Sequence, residues 1–404
     1  MKKFVIFLLI ACLLLGGAIG YFTAKSGDGA PLDSAQTPAE SPVTQDEAAS
    51  DARRLDIEAL LGAYAPDEIV GSCAGTDVTW DELSYWLSDM GNQAQSTIDM
   101  MALYGQSFGW DDKISDESEQ TFAEYTVEMA EDCVRQLHTI EALCAENGVT
   151  LSAEDEAAMA EDLRQDIEGA CGEGASEENF NAYLAENFVS RAMYDRLTRI
   201  NYLYPALFAK LYGEEAGEVS EADAIAYLED SGYLCAGHIL FLTVEDTVNF
   251  EPLDEETVAK KLAQAEAVAA ELRAIEDVQE RAARFLELKE EYCDDPGKVA
   301  YPEGYLFAPG RMTTEFEQAV GELEEYEVSD PVLSPYGYHV IMRLPLSAEM
   351  TMMLPESGTA ANARSAYASA QFSALVTARI DECVLTLEDG LSPFSLTPYL
   401  KEAE

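Results

Sequence analysis

The chain has 404 residues, 48% of them hydrophobic, enough apolar content for two or three buried cores at roughly 100–200 residues per domain. Acidic residues outnumber basic ones 77 to 24, for a formal net charge of −53. Such a field repels phosphate backbones and anionic headgroups, which excludes nucleic acid as a partner and suits solvation or contact with basic polypeptides.

Met1-Lys2-Lys3 precedes an uninterrupted apolar run from Phe4 to Phe22. That is close to the roughly 20 residues of a membrane-spanning helix and longer than a usual signal-peptide core. Residues 1–24 are therefore expected to be a signal-anchor or signal peptide, residues 4–22 contacting the membrane and the lysines staying cytoplasmic, with the body outside in a single-pass arrangement. Two alternatives stand beside the anchor. Ala18-Ile19-Gly20 is a small-residue cleavage site that would release a secreted protein, and Leu9-Ile10-Ala11-Cys12 resembles a lipobox that would make a lipoprotein through Cys12. All three place the protein outside the cytosol.

Residues 25–55 are small, polar and Pro-containing, and are expected to form a disordered linker, since they cannot bury a core. Residues 56–231 read as a helical domain. It opens with a short strand, turn and second strand over Ile69–Val78, after which Thr79 caps a helix through Glu82. Phe122, Tyr125, Met129, Cys133, Leu137, Ile140 and Cys144 recur at three- and four-residue steps, the stripe of a long amphipathic helix. Helical runs follow at about Ala153–Gly169, Glu177–Asn187 and Val189–Tyr204, where Pro205 is expected to end or kink the last, and at Ser220–Glu229. Beyond Cys12 the cysteines are Cys73, Cys133, Cys144, Cys171, Cys235, Cys293 and Cys383. None has CxxC or Cys/His zinc spacing, so they read mainly as small core residues rather than metal ligands or a disulfide framework.

The pattern changes at residue 232. Leu234–Leu242 and Tyr338–Leu344 are strand-length apolar runs, separated by one charged helical stretch at about Glu255–Glu291 and a short helix near Thr314–Val320. Strands split around helices predict an α+β domain over 232–346. Residues 347–404, with a helix from about Ala360 to Leu387, are expected to return to the helical body. Two of the three histidines, His238 and His339, sit mid-strand, sharing faces with Leu240 and Ile341 by the period of two. A buried imidazole needs a partner for each ring nitrogen, and a second histidine with nearby hydroxyls can supply them.

Further blocks bring out a resemblance. Ala236-Gly237-His238-Ile239-Leu240, Glu291-Tyr292-Cys293-Asp294-Asp295-Pro296-Gly297, Gly310-Arg311-Met312-Thr313-Thr314-Glu315-Phe316-Glu317, Glu327-Val328-Ser329-Asp330-Pro331-Val332 and Tyr336-Gly337-Tyr338-His339-Val340-Ile341 occur in this order. Together they resemble the parvulin domain of PrsA/SurA-type extracytoplasmic foldases. The resemblance implies a parvulin-like mixed sheet with surrounding helices, inserted in an all-α chaperone-like body. It implies that His238, Asp295 and His339 are the catalytic set and that Phe307, Met312, Phe316 and Tyr338 contact the substrate. Cys293 stands where the family often has serine. The implied function is peptidyl-prolyl cis-trans isomerisation and chaperoning of unfolded or newly exported polypeptides with X–Pro bonds, with no cofactor.

Two departures from the family's pattern bear on the site. The glycine-rich Gly-Gly-Asp-Leu-Gly stretch before the pocket is here Tyr301-Pro302-Glu303-Gly304-Tyr305, which by gapless count puts Gly304 at the pocket's leucine position. The interval from His238 to Asp295 is also longer than typical. A non-catalytic holdase, using the parvulin fold as a client-binding module, is the alternative that the altered stretch around Gly304 suggests. Hydrolase, zinc-protease, nucleotide-binding and calcium-sensor readings lack G-x-S-x-G, HExxH, the P-loop and the EF-hand loop.

Overall fold

The computed structural model describes residues 53–402, apart from 116, 303 and 354–359. The expected signal or anchor, Cys12 included, and residues 25–52 of the expected linker lie outside the described residues. Among the described residues, no helix is long and apolar enough to cross a membrane. Two units divide the chain: residues up to Lys210 with Leu375 onward, and Leu211–Ala374. The division thus falls about twenty residues before the expected 231/232 boundary and beyond the expected one at 346/347.

In the first unit, β1 (Arg53–Leu55) pairs antiparallel with β11 (Leu400–Glu402), Leu55 opposite Leu400. Residues 53–55, expected to close the linker, are therefore a strand, because they find a partner at the far end of the sequence. Asp56 caps α1 (Ile57–Leu61) by accepting from the Ala59 N–H. β2 (Ile69–Cys73) and β3 (Thr76–Thr79) form the expected hairpin, and β10 (Thr386–Leu387) adds to the other edge of β2. The Thr79 hydroxyl accepts from the Glu82 N–H and starts α2 (Trp80–Leu103) as expected.

α3 (Phe122–Glu146) packs on α2, burying Leu83, Leu87 and Ile98 together with Val127, Val134, Leu137 and Ile140. Of the expected stripe, Tyr125 and Met129 are only half-buried, since Ala123, Val127 and Ala130 turn inward beside it. α4 (Ala153–Cys171), α5 (Glu177–Glu186) and α6 (Arg191–Tyr212) follow, with Phe180, Leu184 and Tyr194 gathering Leu163 and Ile167 into a small core. α6 does not stop at Pro205 but runs through it to Tyr212. Buried Leu203 and Leu207 flank the proline, and tertiary packing of this kind outweighs one missing helical hydrogen bond.

In the second unit, α7 (Glu221–Asp230) is capped by Ser220. It leads to a four-stranded sheet of β4 (Leu234–Leu242), β5 (Tyr305–Phe307), β6 (Val332–Leu333) and β7 (Gly337–Leu344), in the order β5-β4-β7-β6. Every pairing is antiparallel, so the mixed sheet implied by the resemblance is corrected to an antiparallel one. The reason lies in the connection after β4. The expected single helix is two, α8 (Glu255–Arg273) and α9 (Val278–Tyr292), split where Asp277 accepts from the Gln279 and Glu280 N–H groups. This pair sends the chain out and back, so the next strand runs against β4.

Alternation along β4 and β7 sorts the side chains onto two faces. Ile239, Phe241, Val340 and Met342 join Val268, Leu272, Phe285 and Leu288 of α8 and α9 in the larger core. Gly237 lets α9 approach, because a Cβ there would sit 2.9 Å from Phe285. On the other face Ala236 and Ile341 pack with Phe307 and with Phe316 and Val320 of α10 (Thr314–Glu322). Beyond the sheet, β8 (Thr351–Met353) and β9 (Ala360–Asn362) pair antiparallel, and α11 (Ala363–Glu382) is shorter than the helix expected over 360–387. Strands take both ends of that expected span.

Candidate active site

β4 and β7 pair with His238 opposite Ile341 and Leu240 opposite His339. Both imidazoles therefore stand side by side on the α10 face, with His238 Nδ1 2.9 Å from His339 Nδ1. The rings are nearly parallel, their centroids 5.0 Å apart. His339 Nε2 lies 2.7 Å from the Ser334 hydroxyl.

Asp295 reaches the pair through backbone pairing. β5 covers β4 only at Leu234–Ala236, and further along that strand the chain after α9 takes over. The Asp294 N–H donates to the Leu240 carbonyl (2.8 Å), the Leu240 N–H to Cys293 Sγ (3.3 Å) and the Leu242 N–H to Asp294 Oδ2 (3.0 Å). Asp295 is then set beside His238, its Oδ2 2.8 Å from Nε2. The same Oδ2 accepts from the Tyr305 hydroxyl at 2.6 Å, and Oδ1 accepts from the Gly297 N–H at 2.8 Å.

With Asp295 ionised, His238 donates to it from Nε2, and every other nitrogen of the row has a partner: His238 Nδ1 faces His339 Nδ1, one donating and the other accepting, and His339 Nε2 faces the Ser334 hydroxyl, which can do either. The electrostatics agree with neutral histidine at this end: burial, then the adjacent His238, pushes His339 down to about 3. The bond from His238, helped by Tyr305 and the Gly297 N–H, holds Asp295 far below the usual carboxylate range. Burial, then the hydrogen bond to Asp295, pushes the Tyr305 phenol up, so it stays a donor. The row thus has an ionised Asp295 at one end and a neutral His339 at the other.

Above the histidines lies an aromatic wall. Phe316 meets His238 and His339 edge-on at 5.4 and 5.5 Å, and Phe307 meets Phe316 at 5.8 Å. Met312 packs on the same cluster. Its loop is held by Glu317, whose carboxylate accepts from the Met312 N–H (2.8 Å) and the Gly310 N–H (3.0 Å). Of the residues expected at the site, His238, His339, Asp295, Phe307, Met312 and Phe316 thus come together. Tyr338 does not: its neighbour His339 faces the pocket, so strand alternation turns Tyr338 to the α8–α9 core.

Gly304 is a backbone position, not a missing wall. Its φ of +114° and the Ala236 carbonyl, 2.9 Å from where a Cβ would sit, demand glycine. Cys293 is a satisfied structural thiol: it accepts from the Leu240 N–H, lies 3.7 Å from the His238 carbonyl, and burial raises its pKa. Tyr305 and Ser334 were not foreseen. The signal for Tyr305 was present, since gapless counting puts this phenol at the last glycine of the glycine-rich stretch. Among the described residues, no cluster of three or more His, Cys, Asp or Glu side chains is placed to hold a metal ion.

The antiparallel sheet, the histidine pair and the aromatic wall define a parvulin-type domain, and residues 238–344 match the family model described as rotamase, the PPIC-type PPIase domain. Among curated relatives, the chain is similar to the foldase protein PrsA of Geobacillus kaustophilus, 49% identical over 59 residues, 14% of this chain and 21% of that protein. It is similar to the foldase protein PrsA of Halalkalibacterium halodurans, 35% identical over 147 residues, 35% of this chain and 36% of that one. The chain thus spans about a fifth to a third of the length of these relatives. Among solved structures, PrsA from Bacillus subtilis is 21% identical, covering 68% of this chain and 92% of that chain, with a TM-score of 0.22.

Proposed function

We propose that this protein is a peptidyl-prolyl cis-trans isomerase and chaperone that assists the folding of newly exported polypeptides outside the cytoplasmic membrane. The observation that carries the reading is the unbroken row from Ser334 through His339, His238 and Asp295 to Tyr305, lying against Phe307, Met312 and Phe316. An X–Pro bond resists rotation by about 20 kcal/mol because rotation breaks amide resonance. No bond is made and no proton must move, so a site can act by gripping the ring and favouring the twisted amide.

In this reading Phe307, Met312 and Phe316 hold the proline ring, and the preorganised Asp295 carboxylate sets the field at the amide. The histidines, bonded to each other, position Asp295 rather than attack. Residues 4–22 would keep the body at the outer membrane face, by a single-pass anchor, by lipidation at Cys12, or transiently before signal cleavage. The relatives' description as foldases supports clients that are unfolded chains.

The test is isomerisation of a proline-limited peptide by the full chain and by a folded His238→Ala/His339→Ala variant. Catalysis that falls sharply in the variant supports the reading. Undiminished catalysis removes the role given to the histidines. No catalysis by the wild type, with suppression of client aggregation intact, leaves the non-catalytic holdase.

A further inference from the structure

Within the first unit, Cys73 ends β2 and Cys383 follows α11 just before β10, and their sulfurs lie 2.9 Å apart across 310 residues of sequence. The backbone supports the approach. β10 pairs with β2 so that Thr386 lies opposite Ser72 and Leu387 opposite Gly71, which places the residues before Thr386 alongside the end of β2. A disulfide bond of about 2.04 Å needs the two sulfurs to close by less than about one ångström. Cys73 is buried and Cys383 half-buried, so Cys383 is the more accessible residue of the pair.

We propose that Cys73 and Cys383 are a redox-responsive pair whose disulfide fastens the C-terminal segment to the N-terminal hairpin. The oxidant is a disulfide, such as oxidised glutathione or the active-site disulfide of a thiol oxidoreductase. The Cys383 thiolate attacks one sulfur of that disulfide, forms a mixed disulfide and expels one thiolate. The Cys73 thiolate then attacks Cys383 Sγ, forming the Sγ–Sγ bond and expelling the second. The two thiol protons end on the two expelled thiolates, so the protein loses two hydrogens and the oxidant gains them. The ring so closed contains the whole second unit. A cross-link over so long a separation restricts the unfolded chain strongly, so oxidation should stabilise the protein without using any residue of the isomerase site.

The experiment takes the reduced full-length protein, exposes it to oxidised glutathione, quenches with N-ethylmaleimide under denaturing conditions and maps unreduced peptides by mass spectrometry. The expected product is a linked pair of peptides carrying Cys73 and Cys383, about 2 Da lighter than the two thiol peptides together. Thermal unfolding should move up by several degrees and return on adding dithiothreitol. Cys383→Ser should abolish both the link and the shift, whereas Cys235→Ser, in the other unit, should keep both. The direct peptide map of the wild type needs no variant to fold. The proposal is overturned if both sulfurs are alkylated after oxidation, if each carries only glutathione, or if either is joined to a different cysteine.

Discussion

Tyr305→Phe removes one oxygen and leaves the ring, which tilts against Tyr301 at 4.8 Å and meets His238 edge-on at 5.4 Å. What is lost is the 2.6 Å bond to Asp295 Oδ2. A hydrogen bond to a charged group contributes about 1.5–3 kcal/mol. Asp295 keeps the His238 and Gly297 donors, and half-buried Tyr305 lets water replace part of the loss, so about 1–2 kcal/mol is expected. If the Asp295 field acts in the transition state, kcat/KM for a short X–Pro peptide falls about 5- to 30-fold. The assay is protease-coupled isomerisation, with circular dichroism to confirm an unchanged fold. Tyr305 works through Asp295, so in a double-mutant cycle Tyr305→Phe should cost little once Asp295→Asn is present. An unchanged kcat/KM in the single variant, or fully additive losses, would refute this reasoning.

Phe316→Ala empties the wall against both histidines and should destabilise the second unit by about 3–5 kcal/mol, read as a lower urea midpoint in far-UV circular dichroism; a loss below about 1 kcal/mol would mean the ring is not packed as described. Gly304→Ala, forced to a φ of +114° against the Ala236 carbonyl, should cost about 1–3 kcal/mol in the same experiment, whereas a pocket-lining position would tolerate alanine with no stability loss. His339 refuses a proton down to about 3, while in the unfolded chain it takes one near 6.5. Between those values the unfolded state binds more protons, so the stability this group contributes is complete above pH 6.5 and is lost as pH falls towards 3. With only three histidines in the chain, imidazole proton resonances can follow this directly: one that stays neutral from pH 8 to 5 is expected, and three ordinary titrations would contradict it.

What could be read from the sequence was local in character. The period of two placed His238 and His339 on strand faces, and pairing of β4 with β7 brought those faces together. The helix starts at Thr79, Ser220 and Thr314 followed from capping residues or short apolar spacing. The same period of two argues against the role that the resemblance implied for Tyr338, because a residue adjacent to a pocket-facing His339 must face away. The α8–α9 break had little to announce it, with no glycine or proline between Arg273 and Val278 and only Asp277 as a cap. Contacts joining distant segments were not legible: β1 with β11, β10 with β2, and Cys73 with Cys383 each link residues more than 300 positions apart, and no local spacing encodes such a pairing.

The altered stretch before the pocket shows how local and distant information combine. Counted against the glycine-rich pattern, Gly304 looks like the loss of an apolar wall and hence of activity. In the fold, Gly304 carries the positive φ that lets the chain cross the Ala236 carbonyl into β5. The next residue, Tyr305, then extends its hydroxyl to Asp295. Gly304 thus answers a conformational requirement, and the position after it supplies a donor to Asp295. Asp295 holds three donors, two of them on a single oxygen, and a carboxylate so saturated stays ionised and oriented. The role proposed for Asp295 asks for that rigidity, because the reaction transfers no proton, so the altered stretch does not count against the proposal.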